Sequence, residues 1–122
     1  MGKPIDRHEM IAEYLETMQT EIQGIRAMAM TAGFHEEMAQ KLALTIRYGD
    51  LAEVERKRME RRLQSHQKKS RRITPLLKYF GAEKAVEHAR TALQIHGGNG
   101  YTTEYLPEKL LRDALVMPIY EG

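Results

Sequence analysis

Ile11-Ala12-Glu13-Tyr14-Leu15-Glu16-Thr17-Met18-Gln19-Thr20-Glu21-Ile22-Gln23-Gly24-Ile25-Arg26-Ala27-Met28-Ala29-Met30-Thr31-Ala32 decides the fold class. Within it Ile11, Leu15, Met18, Ile22, Ile25, Ala29 and Ala32 recur at intervals of 4, 3, 4, 3, 4 and 3, which lays them along one face of an α-helix. A half-buried strand would alternate at every second residue, and this stretch does not. Upstream, Pro4 precedes Asp6, and Glu9 follows Asp6 in capping-box spacing, so the helix is predicted to begin near Arg7. Downstream it is predicted to run to about Tyr48, where Gly49-Asp50 supplies the first clear stop. Gly24 and Gly33 interrupt the pattern at a cost of about 1 kcal/mol each relative to Ala, which predicts a bend or a close contact beside them.

A second stripe runs through Tyr79, Ala82, Val86, Ala89, Leu93 and His96 at spacings of 3, 4, 3, 4 and 3. Thr74-Pro75 suits an N-cap followed by a first helical position, so this helix is predicted to start there. Its small residues Ala82 and Ala89 would let a neighbouring helix approach closely, as in an antiparallel bundle. Gly97-Gly98-Asn99-Gly100 ends it, and Pro107 opens a short third helix through Ala114. The expected fold class is all-α, an up-and-down helical bundle. Two long helices and one short one leave an apolar face without a partner, so the bundle is expected to be part of something larger.

Between the stripes, residues 53–72 carry nine Lys/Arg and three Glu, a local charge of +6 in a chain whose net charge is +2. Clustered cations favour nucleic acid or anionic membranes through counterion release. No aromatic residue interleaves the run to stack on bases, however, and no groove-reading motif accompanies it. The tract reads as a solvated helical connection, with no nucleic-acid partner.

At 122 residues the chain suffices for one modest core. The absence of cysteine removes disulfide scaffolds, thiolate zinc sites and thiol nucleophiles, and fits a reducing compartment. No apolar run approaches the roughly 20 residues of a membrane span, and the N-terminal residues lack a secretory signal, so the expected location is cytoplasmic. His8, His35, His66, His88 and His96 show no metal-ligand spacing, and the carboxylates of Glu36, Glu37, Glu83 and Glu87 do not complete the Glu-x-x-His pairs of a di-metal bundle. No metal site is expected. Nucleophile-elbow and phosphate-loop motifs are also missing.

Two segments remain. In Gln94-Ile95-His96-Gly97-Gly98-Asn99-Gly100-Tyr101, consecutive glycines bare the main chain, so phosphates of another molecule can approach its N–H groups, with Gln94 adding an amide donor. A helix C-cap needs glycine for conformational reasons alone, and that reading stands beside the first. In Pro118-Ile119-Tyr120-Glu121-Gly122, an apolar stretch precedes a carboxylate; such a setting can raise a Glu pKa towards that of a general base, while a frayed terminal carboxylate is the plainer alternative.

The string 92–105, with Pro107-Glu108-Lys109-Leu110-Leu111-Arg112-Asp113-Ala114 and Pro118-Ile119-Tyr120-Glu121-Gly122, closely resembles the C-terminal helical domain of acyl-CoA dehydrogenases. The resemblance is dense over residues 74–122 and looser over Pro4-Ile5, His8 and the 11–32 stripe; residues 50–72 look like a basic, variable connection. It implies a flavoenzyme that oxidises an acyl-CoA thioester to the trans-2-enoyl-CoA and passes electrons from FAD to an electron-transfer flavoprotein. By the same resemblance Gln94, Gly97 and Gly98 would contact the ADP part of FAD held by a neighbouring subunit. Glu121 would be the base that removes the α-proton, and Gly122 would lie against the thioester. Arg112-Asp113 is expected to form an ion pair pinning the short helix.

Whole enzymes of that family carry an N-terminal helical domain and a central β-domain ahead of this one, so the sequence is expected to be an incomplete C-terminal domain, inactive by itself. The tetramer usual in the family is the expected assembly of an intact protein. Two other readings stay open: a non-catalytic helical module for self-association, and an oxidase-type relative that reacts with oxygen.

Overall fold

In the computed structural model, residues 2–120 are described, and Glu121 and Gly122 lie outside them. Three α-helices account for most of the chain: α1 (Glu9–Tyr48), α2 (Glu53–His96) and α3 (Leu106–Ala114). Among the described residues there is no strand. The chain divides into two compact units, a terminal unit of Met1–Ile25 with Lys78–Gly122 and a central unit of Arg26–Leu77. Each long helix contributes to both.

The start of α1 departs from expectation. Pro4 and Ile5 carbonyls accept the N–H groups of Arg7 and His8 at 3.1 Å, forming a 3-10 turn over Ile5–Arg7. Asp6 lies within that turn and no capping box forms. The first carbonyl taken up by α1 is that of His8, which accepts Ala12 N–H at 2.9 Å. At the other end the expected stop holds. The Gly49 N–H reaches Thr45 O at 2.8 Å, and a Cβ at Gly49 would stand 2.6 Å from that oxygen, so only glycine fits. Gly24 and Gly33 meet no neighbour within 4 Å, so neither marks a close contact.

In the central unit the two helices run antiparallel: Glu36 meets Ser70 and Ile46 meets Arg56, so partners ascend on one helix as they descend on the other. The face that α1 turns to its partner comprises Met28, Ala32, His35, Ala39, Leu42 and Ile46; α2 answers with Arg56, Met59, Leu63, His66, Ser70, Ile73 and Leu77. Both lists alternate steps of 3 and 4, the seam of a two-helix coiled coil. The basic tract is therefore helical but not a connection; it is the first part of α2, and the connection is confined to 49–52. Arg56 sends its guanidinium to Ile46 O at 2.8 Å, satisfying a carbonyl that the end of α1 leaves open. The other eight Lys/Arg of the tract are exposed.

Pro75 sits inside α2, not at its start. A proline removes one helical hydrogen bond at a cost of about 3 kcal/mol. Here the helix persists because Ser70, Ile73 and Leu77, on both sides of the ring, stay in the seam.

In the terminal unit the first part of α1 and the last part of α2 are again antiparallel. Glu21 meets Lys84 and His88, and the nearest neighbour of the Cβ position at Gly81 is Ile25, at 4.0 Å. Ile11, Ala82, Ala89 and Ala114 are buried, so the small-residue contact expected at Ala82 and Ala89 is present. Tyr79 and His96, the ends of the expected stripe, are exposed. In α1 three residues of the expected stripe, Leu15, Ile22 and Ala29, are exposed, and Glu21 and Met28 are half-buried in place of the last two.

Candidate functional site

All the described candidate residues belong to the terminal unit, so the site is built from it alone. Helix α2 ends at His96, whose Nδ1–H donates back to Ala92 O at 2.8 Å. Gly97 follows with φ +58°, the left-handed conformation that terminates helices and that side chains resist. A 3-10 turn carries the chain through Gly97–Tyr101. Gly100 is buried, and a Cβ there would sit 2.5 Å from Leu93 O, so this glycine is required by packing. Gly98 differs: its backbone is exposed, and a Cβ would meet nothing within 4 Å. The glycine tract thus divides between a cap at Gly97, a packing residue at Gly100 and open main chain at Gly98.

Gln94, one turn earlier on α2, is exposed and lines a shallow depression of about 200 Å³ with Tyr14, Glu87, Arg90 and Thr91. A larger depression of about 350 Å³ adjoins it, walled by Met10, Met18, Glu21 and His88 among others. Gln94 and Arg90 supply hydrogen-bond donors in the smaller depression, which the Glu87 carboxylate also lines, and the exposed main chain of Gly98 follows one turn beyond Gln94.

Beyond the turn, Thr102 N–H and Oγ1–H both donate to Asn99 O, at 3.2 and 3.0 Å, and Tyr105 N–H reaches Thr102 O at 3.3 Å. Pro107, buried in the first turn of α3, starts that helix as expected. The expected Arg112–Asp113 pair is not formed. Adjacent residues of a helix point apart, and the pairs that form are Lys109 with Asp113 and Arg112 with Glu108, each one turn apart. Lys109 holds the Asp113 carboxyl below its ordinary range.

After Ala114 the chain turns tightly, with Met117 N–H on Ala114 O and Ile119 N–H on Val116 O, both at 3.0 Å. Lys78 of α2 donates from Nζ to Met117 O at 2.6 Å and to Tyr120 O at 2.7 Å, and stands 4.4 Å from the centre of the Tyr120 ring. Nothing in the sequence reading pointed to Lys78. Glu121 and Gly122, the expected base and thioester neighbour, come directly after this turn and lie outside the described residues. Gln94 and Lys78 are 16 positions apart on one helix, about 24 Å at 1.5 Å per residue. The glycine segment and the turn that leads to Glu121 are therefore not brought together within one chain.

A charged cluster that the sequence also concealed binds the helices of this unit. Glu21 receives Lys84 Nζ at 2.7 Å on one oxygen and lies 2.7 Å from His88 Nε2 on the other, while Lys84 also pairs with Glu87 at 2.7 Å. Hydrogen bonds from Lys84 first and His88 second hold the Glu21 carboxyl below its ordinary range, and Glu21 then Glu87 raise Lys84. The Glu21–His88 contact spans 67 positions, which no local spacing reports. Glu87 is thus engaged by a lysine, and Glu37 by Lys41. Among the described residues no three metal-ligating side chains converge, and no helix is long and apolar enough to cross a membrane.

Residues 54–122 match the family model for the acyl-CoA dehydrogenase C-terminal domain, a match that takes in the basic part of α2 as well as the motifs. The chain is 34% identical over 119 residues, 98% of its own length, to 3-methylmercaptopropionyl-CoA dehydrogenase of Ruegeria pomeroyi. It is 53% identical over 47 residues, 38% of its length, to 3-(aryl)acrylate reductase of Clostridium sporogenes. A subunit of the caffeyl-CoA reductase-Etf complex of Acetobacterium woodii is 38% identical over 60 residues, 49% of the chain. The chain spans 18%, 12% and 16% of the lengths of these three relatives. No solved structure matches it.

Proposed function

The chain belongs to the acyl-CoA dehydrogenase family, and from that premise we propose that it serves in an intact enzyme that oxidises an acyl-CoA thioester to the trans-2-enoyl-CoA with FAD as cofactor. The observation that carries the reading is the similarity of 98% of the chain to an acyl-CoA dehydrogenase, with Gln94, Gly97, Gly98 and the Tyr120-Glu121-Gly122 segment all present. In this reading Gln94 and the bare main chain at Gly97 and Gly98 hold the ADP part of FAD. The open surface at Gly98 supports this, because no part of the chain itself fills the space. Bound FAD would accept the hydride that leaves the β-carbon of the substrate.

Glu121 takes the α-proton in the same reaction, and Gly122, lacking a side chain, leaves room for the thioester. An α-proton beside a thioester is weakly acidic, so a positioned carboxylate helps only where hydrogen bonds to the carbonyl oxygen stabilise the developing enolate. The separation of about 24 Å along α2 between Gln94 and the turn before Glu121 supports assigning the two segments to the active sites of different subunits of a homo-oligomer, a tetramer by family expectation. Electron-transfer flavoprotein is the proposed acceptor, a reading favoured by the relative named for an Etf complex. Oxygen as acceptor would instead make the protein an oxidase, and a helical module without catalysis would have no use for Glu121.

Two relatives are named reductases, which favours a second direction for the same chemistry. Glu121 would then deliver a proton to the α-carbon. Glu121→Gln in the intact enzyme tests the reading in either direction. Turnover is expected to fall at least ~10³-fold with flavin content unchanged, since a lost general base removes a term of this order. Normal turnover in that variant would overturn the assignment.

A further inference from the structure

We infer that Lys78 is a positioning residue: its ammonium group clamps against α2 the turn 117–120, the segment that directly precedes the proposed base in the sequence. The inference rests on the assignment of Glu121 above. Two main-chain carbonyls, those of Met117 and Tyr120, converge on one Nζ at 2.6 and 2.7 Å, and Tyr120 lays its ring 4.4 Å from the same charge.

Three features make this a clamp. A lysine ammonium has three donors and no acceptor, and two of them are spent on carbonyls three positions apart in a turn that exposes most of its side chains. Hydrogen bonds from an ionised donor are stronger than neutral ones, so they hold a segment that contributes little buried surface. Lys78 itself is half-buried and stands on α2, a 44-residue helix, so the anchor is a long helical element. The last held carbonyl belongs to Tyr120, and the next residue is Glu121. Releasing the two carbonyls would loosen the turn from which the chain continues to the proposed base.

Amide hydrogen exchange on the protein and on Lys78→Met and Lys78→Arg variants tests the clamp without reference to activity. In Lys78→Met the Ile119 and Tyr120 amides, both directed at Val116 O, should exchange at least ~10-fold faster, while α2 amides keep their rates. Lys78→Arg retains a charged donor and should restore most of the protection. Unchanged exchange at 119–120 in Lys78→Met would overturn the clamp.

Turnover of the intact enzyme tests its consequence. Lys78→Met should lower kcat roughly 10- to 100-fold with KM little changed, because a displaced reacting group costs about that much. Lys78→Arg should recover kcat. A loosened turn with unaltered kcat would refute the positioning role and leave the base assignment standing. Conversely, full turnover in Glu121→Gln would remove the base assignment while the exchange measurement still reported on the clamp.

Discussion

The central and terminal units are built from the same two helices, yet they solve opposite problems. The central unit holds twelve Lys/Arg against six Asp/Glu, a charge of +6, and the terminal unit seven against eleven, a charge of −4. In the central unit the seam is regular, steps of 3 and 4 on both helices, and it buries Ala32, Ala39 and Leu42 with polar residues His35, His66 and Ser70 inserted. In the terminal unit Ile11, Ala82, Ala89 and Ala114 are buried, the helices are also tied by Glu21, Lys84 and His88, and Leu15 and Ile22 remain exposed. The regular unit carries none of the candidate site residues; the irregular one carries all of them. A coiled-coil seam spends its side chains on pairing, whereas a site needs open main chain, turns and charges held in place.

That contrast is most sharply broken or confirmed by deleting one side chain from each unit. Leu42, 6% exposed in the central seam, should cost about 2–5 kcal/mol when replaced by alanine, the range for a buried leucine. Leu15, 43% exposed, should lie within about 0.5 kcal/mol of wild type. Urea unfolding monitored by site-resolved amide exchange reads both, and equal losses would mean that the seam is not what holds the central unit.

A smaller effect separates the units by pH. His35 and His66 face each other across the central seam with their Nδ1 atoms 3.0 Å apart, and Phe34 packs beside both rings. Burial, then His35, then Lys69 and Arg62 press the His66 pKa below its ordinary 6.5. The unfolded chain therefore binds the proton more readily, so this contribution to stability is complete above pH 6.5 and declines as the pH falls through that value. Glu21 in the terminal unit, held below 4.5, keeps its contribution until the pH falls below that value. Acidification from pH 7.5 to 5.5 should lower the amide protection factors of the central unit, that is, exchange relative to the intrinsic rate at each pH, and His66→Leu should flatten the response. An unaltered acid limb in that variant would contradict it.

The helical class was legible because side-chain period survives any tertiary context, and both long helices lie where their stripes stand. Which face is buried was less legible. Glu21 and Met28 displaced Ile22 and Ala29 because the buried seam is set by the partner helix and admits a carboxylate that a lysine and a histidine satisfy. Pro75 misled for the same reason: a local start signal yields when packing continues on both sides of it. In the basic tract the charges hid Met59 and Leu63, whose seam continues beyond the tract through Ile73 and Leu77. Gly97 and Gly100 were legible as glycines, though only the structure separates a positive φ from a packing constraint and leaves Gly98 as open surface. Lys78 was not legible at all, since its partners lie 39 and 42 positions away.

The most direct measurement is the visible absorbance of the intact enzyme purified with Gly98→Val beside one purified with Arg61→Ala and Arg62→Ala. A side chain at Gly98 meets nothing in the chain itself, so any effect reports on what approaches from outside. The protein should lose its flavin band when Gly98 is replaced, while the central-unit variant keeps the band and is bleached anaerobically by an acyl-CoA. Full flavin content in Gly98→Val, or its loss in the arginine variant, would contradict the placement of the cofactor segment in the terminal unit.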